Sequence, residues 1–211
     1  MLDGGVIVWW LGAAALAIAV VALFFWAEAN RARREAYIRS YAFPESVFAK
    51  LKTKHPQLEL KDWQLVARAL REFFLVHLKS GRRYISMPSK IVDDLWHEFI
   101  LHTRTYEEFC NKAFGRYFHH SPAASAVLFG AEEEGMFVTW RFACIEENIH
   151  FDSPTRLPLL FAIDSKLQVP GAFSYQLETM SELARKKTAS GNCGGGSGGC
   201  GGGCGGGCGG C

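Results

Sequence analysis

The order of apolar and polar residues divides the chain into distinct parts. An unbroken apolar run covers residues 5–26 and contains no charged side chain. Through the middle of the chain, apolar residues recur three and four positions apart, which is typical of amphipathic helices. Beyond residue 190, glycine and cysteine replace almost all other residues. We therefore divide the chain into a transmembrane anchor (1–30), basic juxtamembrane helices (31–60), a helical domain (61–188) and a disordered Gly/Cys-rich tail (189–211).

The apolar run is long enough to cross a membrane. As a helix rising about 1.5 Å per residue it would be about 33 Å long, and a bilayer hydrocarbon core is about 30 Å thick. Trp9, Trp10 and Trp26 lie near its ends, where aromatic rings favour the headgroup region. The run has no basic residues before it and exceeds the length of about 7–15 residues found in signal peptides. We therefore expect a retained single span and no cleavage.

Charged residues near the span predict its direction. Arg31, Arg33 and Arg34 follow the apolar run, whereas only Asp3 precedes it. The positive-inside rule then places the N-terminus outside and residues 31–211 in the cytoplasm.

The charge balance also predicts partners. Residues 31–90 carry 14 Lys+Arg and 5 Asp+Glu, while residues 91–152 carry 4 and 11. A basic segment beside the span is attracted to the anionic lipids of the inner leaflet. Beyond residue 50, a solvated helix face explains the same charges equally well. The net charge of +2 argues against nucleic acid as a partner, because such binding needs a sustained basic field.

The central part of the chain predicts an all-α fold. His77 lies on the apolar stripe of one predicted helix, so we interpret it as a core histidine with its hydrogen bonds satisfied. Gly81 is expected to end that helix. Residues 82–87 are expected to be extended, and strand signals are otherwise scarce. The predicted helices cover residues 44–54, 61–79, 88–103, 104–117, a segment that begins near Glu132, 157–167 and 174–187.

Residues 91–122 contain the densest group of side chains that are able to bind a metal ion. Imidazole, thiolate and carboxylate groups together are the usual ligands of zinc, and they predict a metal site in this segment. The candidate ligands are Asp93, Asp94, His97, Cys110, His119 and His120.

Helical geometry ranks the histidines of this segment. Asp93 and Asp94 precede His97 by four and three positions, so either carboxylate shares a helix face with that imidazole. His102 is five positions after His97 and therefore points about 140° away from it. We accordingly favour His97 as a ligand. Cys110 and the His119-His120 pair must come from the next helix and the loop after it.

A structural cluster is the alternative to a metal site. Cys110 lies on an apolar stripe, where free cysteine often serves as a small buried hydrophobe. The segment contains neither a paired CxxC arrangement nor HExxH, since Leu101 stands where the second histidine of HExxH would fall.

One segment resembles a known family. Its pattern is similar to that of the glycine-rich domain-containing-protein-like family, an Asp-containing WHxxILxTxxYxxxC helix followed by FG and a His-His pair before Pro. The resemblance implies a helical domain with a His/Cys site and no defined activity. The N-terminal span departs from the soluble members. The matching residues are Trp96, His97, Ile100, Leu101, Thr103, Tyr106, Cys110, Phe114, Gly115, His119, His120 and Pro122.

The tail combines glycine with cysteines that are separated by six, three, three and two residues. A segment without apolar residues other than cysteine cannot form a core, so we expect disorder. Flexible glycine would let several cytoplasmic thiolates surround one soft ion, Zn²⁺ or Cu⁺. Redox chemistry, covalent modification or a plain flexible repeat are the alternatives. The tail cysteines are Cys193, Cys200, Cys204, Cys208 and Cys211.

Three hypotheses for function follow from these features. The first is a membrane-anchored, cytoplasmic-facing protein with a zinc-like His/Cys site and a thiol-rich tail. The second is a protein-interaction module whose histidines are structural. The third is a hydrolase or thiol enzyme, although no nucleophile and base pair can be identified from spacing.

Overall fold

The chain is described by a computed structural model over residues 4–81, 83–120 and 132–191. Those residues form helices and connections without strands, so the predicted all-α class is confirmed. The tail cysteines and Pro122 lie outside the described residues. The helices are α1 (Gly4–Ser40), α2 (Glu45–Lys54), α3 (Leu60–Ser80), α4 (Lys90–Leu101), α5 (Thr103–Phe114), α6 (Glu132–Glu146), α7 (Leu159–Lys166) and α8 (Leu177–Gly191).

Helix α1 contains the predicted span. Residues Trp9–Ser40 form a helix long and apolar enough to cross a membrane. None of its most apolar window is buried against the rest of the chain. Large apolar side chains such as Trp9 and Trp26 are therefore exposed. A core helix of a soluble protein would be mostly covered, so this exposure is consistent with the predicted anchor.

The last turns of α1 belong to the folded domain. The helix shows no break at residue 30, the boundary drawn from composition, and it packs against α3 and α5. Ile38 is fully buried there. Arg34 Nη1 donates a hydrogen bond of 3.0 Å to the carbonyl oxygen of Phe114. The helix that carries the span thus continues into the domain without a flexible linker.

Helix α3 is the centre of the core. It contacts α1, α4, α6 and α7, and its rings of Phe73 and Phe74 are buried. The helix ends at Gly81, whose φ of +64° is readily adopted by glycine. The helix predicted over residues 61–79, with its glycine stop, is therefore confirmed.

Residues 83–89, which precede α4, lie along α6. Ser86 N–H donates to Thr139 Oγ1 at 3.1 Å, and the Thr139 hydroxyl donates back to the Ser86 carbonyl oxygen. Gly135 permits this close approach, because a Cβ there would lie 2.5 Å from the Tyr84 ring. Residues 83–87 form no strand pairing, but these hydrogen bonds hold them against α6.

A buried carboxylate fixes the start of α4. Asp164, on α7, accepts hydrogen bonds from the Ser89 hydroxyl at 2.8 Å and from the backbone N–H groups of Lys90 and Ile91 at 2.6 and 3.2 Å. A negative charge is favourable at a helix N-terminus, where backbone N–H groups lack partners within the helix. Asp164 therefore holds in place the helix that carries Asp93. Sequence reasoning missed Asp164, for which the one signal is an acidic residue inside a short apolar helix.

Candidate metal centre

Three side chains from two parts of the chain meet at one face of α4. Asp93 and His97 lie one turn apart on α4, and His120 lies in the segment after α5. One donor atom from each lies within 4.8 Å of the others. The side chains are 33%, 51% and 18% exposed, respectively. The residues Asp93, His97 and His120 are called the metal group below.

The helix itself selects the free nitrogen of His97. Its Nδ1 lies 2.8 Å from the main-chain carbonyl oxygen of Asp93 and 3.4 Å from Oδ2 of the same residue. A carbonyl oxygen accepts and cannot donate, so Nδ1 must carry the proton in this contact. The lone pair is then on Nε2. Histidines that bind metals usually donate their other ring N–H in this way, which fixes the ring and its tautomer.

His120 reaches the same site from the other side. Its Nε2 lies 3.0 Å from Asp93 Oδ1. The ring also packs against Trp96, with centroids 4.4 Å apart, and against His97, with centroids 4.3 Å apart. A metal ion would take the place of the proton shared between imidazole and carboxylate.

The position of His120 depends on the turn that ends α5. Gly115 has a φ of +73°, and a Cβ there would lie 2.7 Å from Arg34 Nη2, so a larger residue would be strained and crowded. Further along, Trp96 Nε1–H donates to Tyr106 Oη at 3.1 Å, and Tyr106 donates to the Phe118 carbonyl oxygen at 2.6 Å. These contacts tie residues 115–120 to α4 and α5.

The arrangement matches what a divalent ion requires. Two imidazoles and one carboxylate are a common set for catalytic zinc, and the same set with open positions binds non-haem iron. Ligand bonds of about 2.0–2.2 Å in a tetrahedron place the donor atoms about 3.3 Å apart. Asp93 oxygens lie 3.0 Å from His120 Nε2 and 3.4 Å from His97 Nδ1, which is close to this spacing. Among the described residues, no Lys or Arg nitrogen lies within 4 Å of the Asp93 carboxylate.

The other predicted acidic and histidine ligands lie outside the metal group. Asp94 is on the same helix, but its carboxylate pairs with Lys90 Nζ at 3.0 Å. His119 is exposed, with its ring 4.8 Å from that of Tyr117. His102 stands between α4 and α5 and is not part of the group.

Cys110 is buried inside the domain. It is fully buried on α5 and does not join the metal group. Burial raises the pKa of its thiol, so the thiolate that would bind a metal is disfavoured. The predicted set of ligands is therefore brought together in part, as Asp93, His97 and His120.

Comparison with known proteins places the chain in one family. Residues 33–196 match the model of the UCP032817-like family. The chain belongs to the UCP032817-like family. The match starts after the apolar run and includes the whole metal group. No curated protein and no solved structure matches the chain.

The interpretation of His77 as a satisfied core histidine is corrected by the structure. The residue is buried, but its Nδ1 has no hydrogen-bond partner among the described residues. The ring stacks on Phe118 with centroids 3.6 Å apart. Desolvation by burial, with a smaller contribution from the charge of Arg116, lowers the pKa of His77 to about 4. Helical periodicity predicted that His77 lies on the buried face of its helix, but it does not predict the hydrogen bonds of the side chain.

Proposed function

We propose that this chain is a membrane-anchored metal-binding protein whose helical domain holds a divalent ion, such as zinc, at Asp93, His97 and His120. The observation that carries the proposal is the convergence of three donor atoms within 4.8 Å. The donors come from a helix face and from a separate segment.

Two further features support the proposal. His97 Nδ1 lies 2.8 Å from the Asp93 carbonyl oxygen and 3.4 Å from Asp93 Oδ2, so the imidazole is held against the carboxylate of the metal group. The Asp93 carboxylate is close to two imidazoles and to no permanent cation among the described residues. A divalent ion supplies the missing positive charge. When bound, zinc would act as a Lewis acid, and the three side chains would hold it and leave a coordination position open.

The test is metal analysis of the full chain in detergent, with all five tail cysteines replaced by serine so that tail thiols cannot contribute. After equilibration with Zn²⁺ and removal of excess metal, we expect about one equivalent per chain, with thermal stability lowered by chelator. The substitutions His97→Ala and His120→Ala should each abolish this equivalent.

Matched controls come from neighbouring histidines. His119→Ala and His102→Ala remove imidazoles in the same segment but outside the metal group, and they should retain zinc. A protein that binds no zinc, or that loses it equally in all four variants, contradicts the proposal.

A structural cluster is the second candidate function for these residues. The 3.0 Å contact between His120 Nε2 and Asp93 Oδ1 favours it, since this hydrogen bond closes the group without any ion. On this hypothesis the domain is a protein-interaction module. Its stability would not depend on chelator, and His120→Ala would destabilise it whether or not zinc is added.

We further propose that the domain faces the cytoplasm and is drawn to anionic lipids of the inner leaflet. The support is the Arg31, Arg33 and Arg34 cluster after the apolar run. A thiol reagent that cannot cross membranes should leave the tail cysteines of intact cells unlabelled. Labelling before lysis would reverse this topology.

The role of the tail and the resemblance to the glycine-rich domain-containing-protein-like family both remain predictions. We expect the tail thiols to bind soft metal ions such as Zn²⁺ or Cu⁺. In the full chain with its cysteines intact, we therefore expect more than one equivalent of Zn²⁺, and the excess should disappear when the tail cysteines are replaced.

A further inference from the structure

A cavity of about 530 Å³ lies between α3, α4 and α6, beside the metal group. Asp93 and His120 belong to both the cavity lining and the metal group. Cavities of about 300–1,000 Å³ are typical of sites for small molecules. The cavity is therefore of a suitable size, and it reaches two of the three proposed metal ligands.

Much of the cavity wall is apolar and aromatic, including rings next to the metal group. The rings of Trp96 and Phe118 stack with centroids 5.0 Å apart, and Tyr175 packs on the far side against Phe161. Such a wall favours a flat apolar body, because ring-to-ring contact removes apolar surface from water. The apolar and aromatic lining residues are Phe73, Trp96, Phe118, Met136, Phe173 and Tyr175.

The formal charges around the cavity indicate which charge a bound ligand should carry. A divalent ion with one carboxylate and two neutral imidazoles carries a net charge of +1. Lys90 also lines the cavity, but its charge is balanced by Asp94 at 3.0 Å. Arg83 and Glu132 line the cavity with opposite charges. A monoanion would therefore neutralise the site, whereas a cation would add to its positive charge.

A zinc ion held by the metal group would also need a donor atom from a bound ligand. Three protein ligands leave at least one position of a zinc ion open, and carboxylate oxygen is a suitable ligand for it. Since Asp93 and His120 are in the cavity wall, a ligand in the cavity has access to the ion.

We propose that this cavity binds a small aromatic monocarboxylate, whose carboxylate coordinates the metal ion and whose ring packs against the apolar wall. The inference rests on the proposed metal site and adds the chemical class of the ligand.

The experiment uses the full chain in detergent with its tail cysteines replaced by serine and loaded with Co²⁺, whose visible absorption reports changes in coordination. Phenylacetate is the probe, and acetate is the matched control that has the same carboxylate but no ring. Because the ring leaves water, phenylacetate should alter the spectrum at a concentration about tenfold or more below that of acetate.

Two variants test whether the preference arises in this cavity. Met136→Trp fills the space from α6, and Phe173→Ala removes an exposed part of the apolar wall without disturbing the core. Neither residue is a proposed metal ligand. Both variants should bind phenylacetate more weakly, with Co²⁺ uptake and acetate binding unchanged. Phe173→Ala keeps the test decisive if Met136→Trp does not fold.

The outcomes separate this inference from the proposed function. Equal affinity for the two acids in the Co²⁺-loaded protein overturns the inference and leaves the metal site intact, as does a preference unaffected by Phe173→Ala. Failure to take up Co²⁺ overturns the metal site and the inference together.

Discussion

The domain contains two clusters of charged side chains whose carboxylates have different kinds of partner. In the arginine–glutamate cluster, which comprises Arg39, Arg68, Glu72, Lys79, Glu146, Glu147 and Arg156, carboxylates are paired with permanent cations. Glu146, only 6% exposed, pairs with Lys79 Nζ at 2.7 Å and with Arg39. Burial alone would raise the pKa of Glu146, but hydrogen bonds from these two cations outweigh it and lower that pKa.

The metal group has no such compensation among the described residues. The Asp93 carboxylate contacts only two imidazoles, which are charged only when protonated. Positive charge must come from protons or from a bound ion. The two clusters therefore differ in the partners of their carboxylates, which are permanent cations in one and imidazoles in the other. The arginine–glutamate cluster should therefore govern stability, and the metal group should govern ion binding.

The largest effect is expected at Glu146. Replacing it in Glu146→Ala leaves Lys79 and Arg39 with Glu35 as their remaining carboxylate partner, at 3.5 and 3.6 Å. The free energy of unfolding should fall by about 3 kcal/mol, the lower end of what breaking a buried ion pair costs. Urea denaturation of the full chain in detergent measures the change. The control is Glu133→Ala, which removes an exposed pair with Lys187 and should cost less than about 1 kcal/mol. Equal effects would show that the arginine–glutamate cluster is not what holds these helices together.

The next effect is at the carboxylate that caps α4. Asp164→Ala leaves the backbone N–H groups of Lys90 and Ile91 buried without their acceptor and should cost about 2–3 kcal/mol. It should also weaken Zn²⁺ binding, since α4 carries Asp93. The control Asp62→Ala removes an exposed capping carboxylate and should cost about 1 kcal/mol with zinc binding unchanged. If Asp164→Ala leaves zinc affinity intact, the capping carboxylate does not position the metal group.

A smaller, pH-dependent effect is expected from His77. Its pKa is about 4 in the folded state and about 6.5 in the unfolded state, so only the unfolded state gains a proton as the pH falls between these values. The stability present above pH 6.5 should therefore decline by about 2 kcal/mol on reaching pH 5. Denaturation in chelator at several pH values should show this loss, reduced in His77→Leu. An unchanged profile in His77→Leu would exclude His77 as its source.

The smallest effect on stability is expected in the metal group. Asp93→Asn removes a carboxylate that is one-third exposed and contacts only imidazoles, so it should change the unfolding free energy by less than about 1 kcal/mol. Zn²⁺ affinity should nevertheless fall at least about tenfold, because the charged ligand is lost. Asp94→Asn, on the same turn but outside the metal group, should keep the affinity. A large loss of stability with no loss of zinc would reverse the roles assigned to the two clusters.

Local patterns predicted much of the fold. Helical periodicity with glycine and proline signals placed the helices to within a few residues, because amphipathic spacing and capping are local properties of the chain. The same local geometry placed Asp93 and His97 on one face, since residues four apart on a helix are neighbours. His102, five positions beyond His97, lies outside the metal group.

Contacts between distant segments decided the rest. His119 and His120 are adjacent in sequence, and one of them joins Asp93 because the Tyr106 hydroxyl holds the Phe118 carbonyl oxygen. A shift of one residue in that segment would exchange the two histidines. The cap from Asp164 comes from 75 positions beyond Ser89, and the unpartnered nitrogen of His77 depends on which rings pack around it.

The sequence by itself determined the long apolar N-terminal helix, the all-α class and the pairing of a carboxylate with an imidazole along α4. Each follows from the composition or spacing of residues within one segment. Only the tertiary structure decided that His120 completes the metal group, that Cys110 is withdrawn into the core and that a cavity opens beside Asp93. These depend on how separate helices pack, and packing sums many weak contacts between residues far apart in the chain.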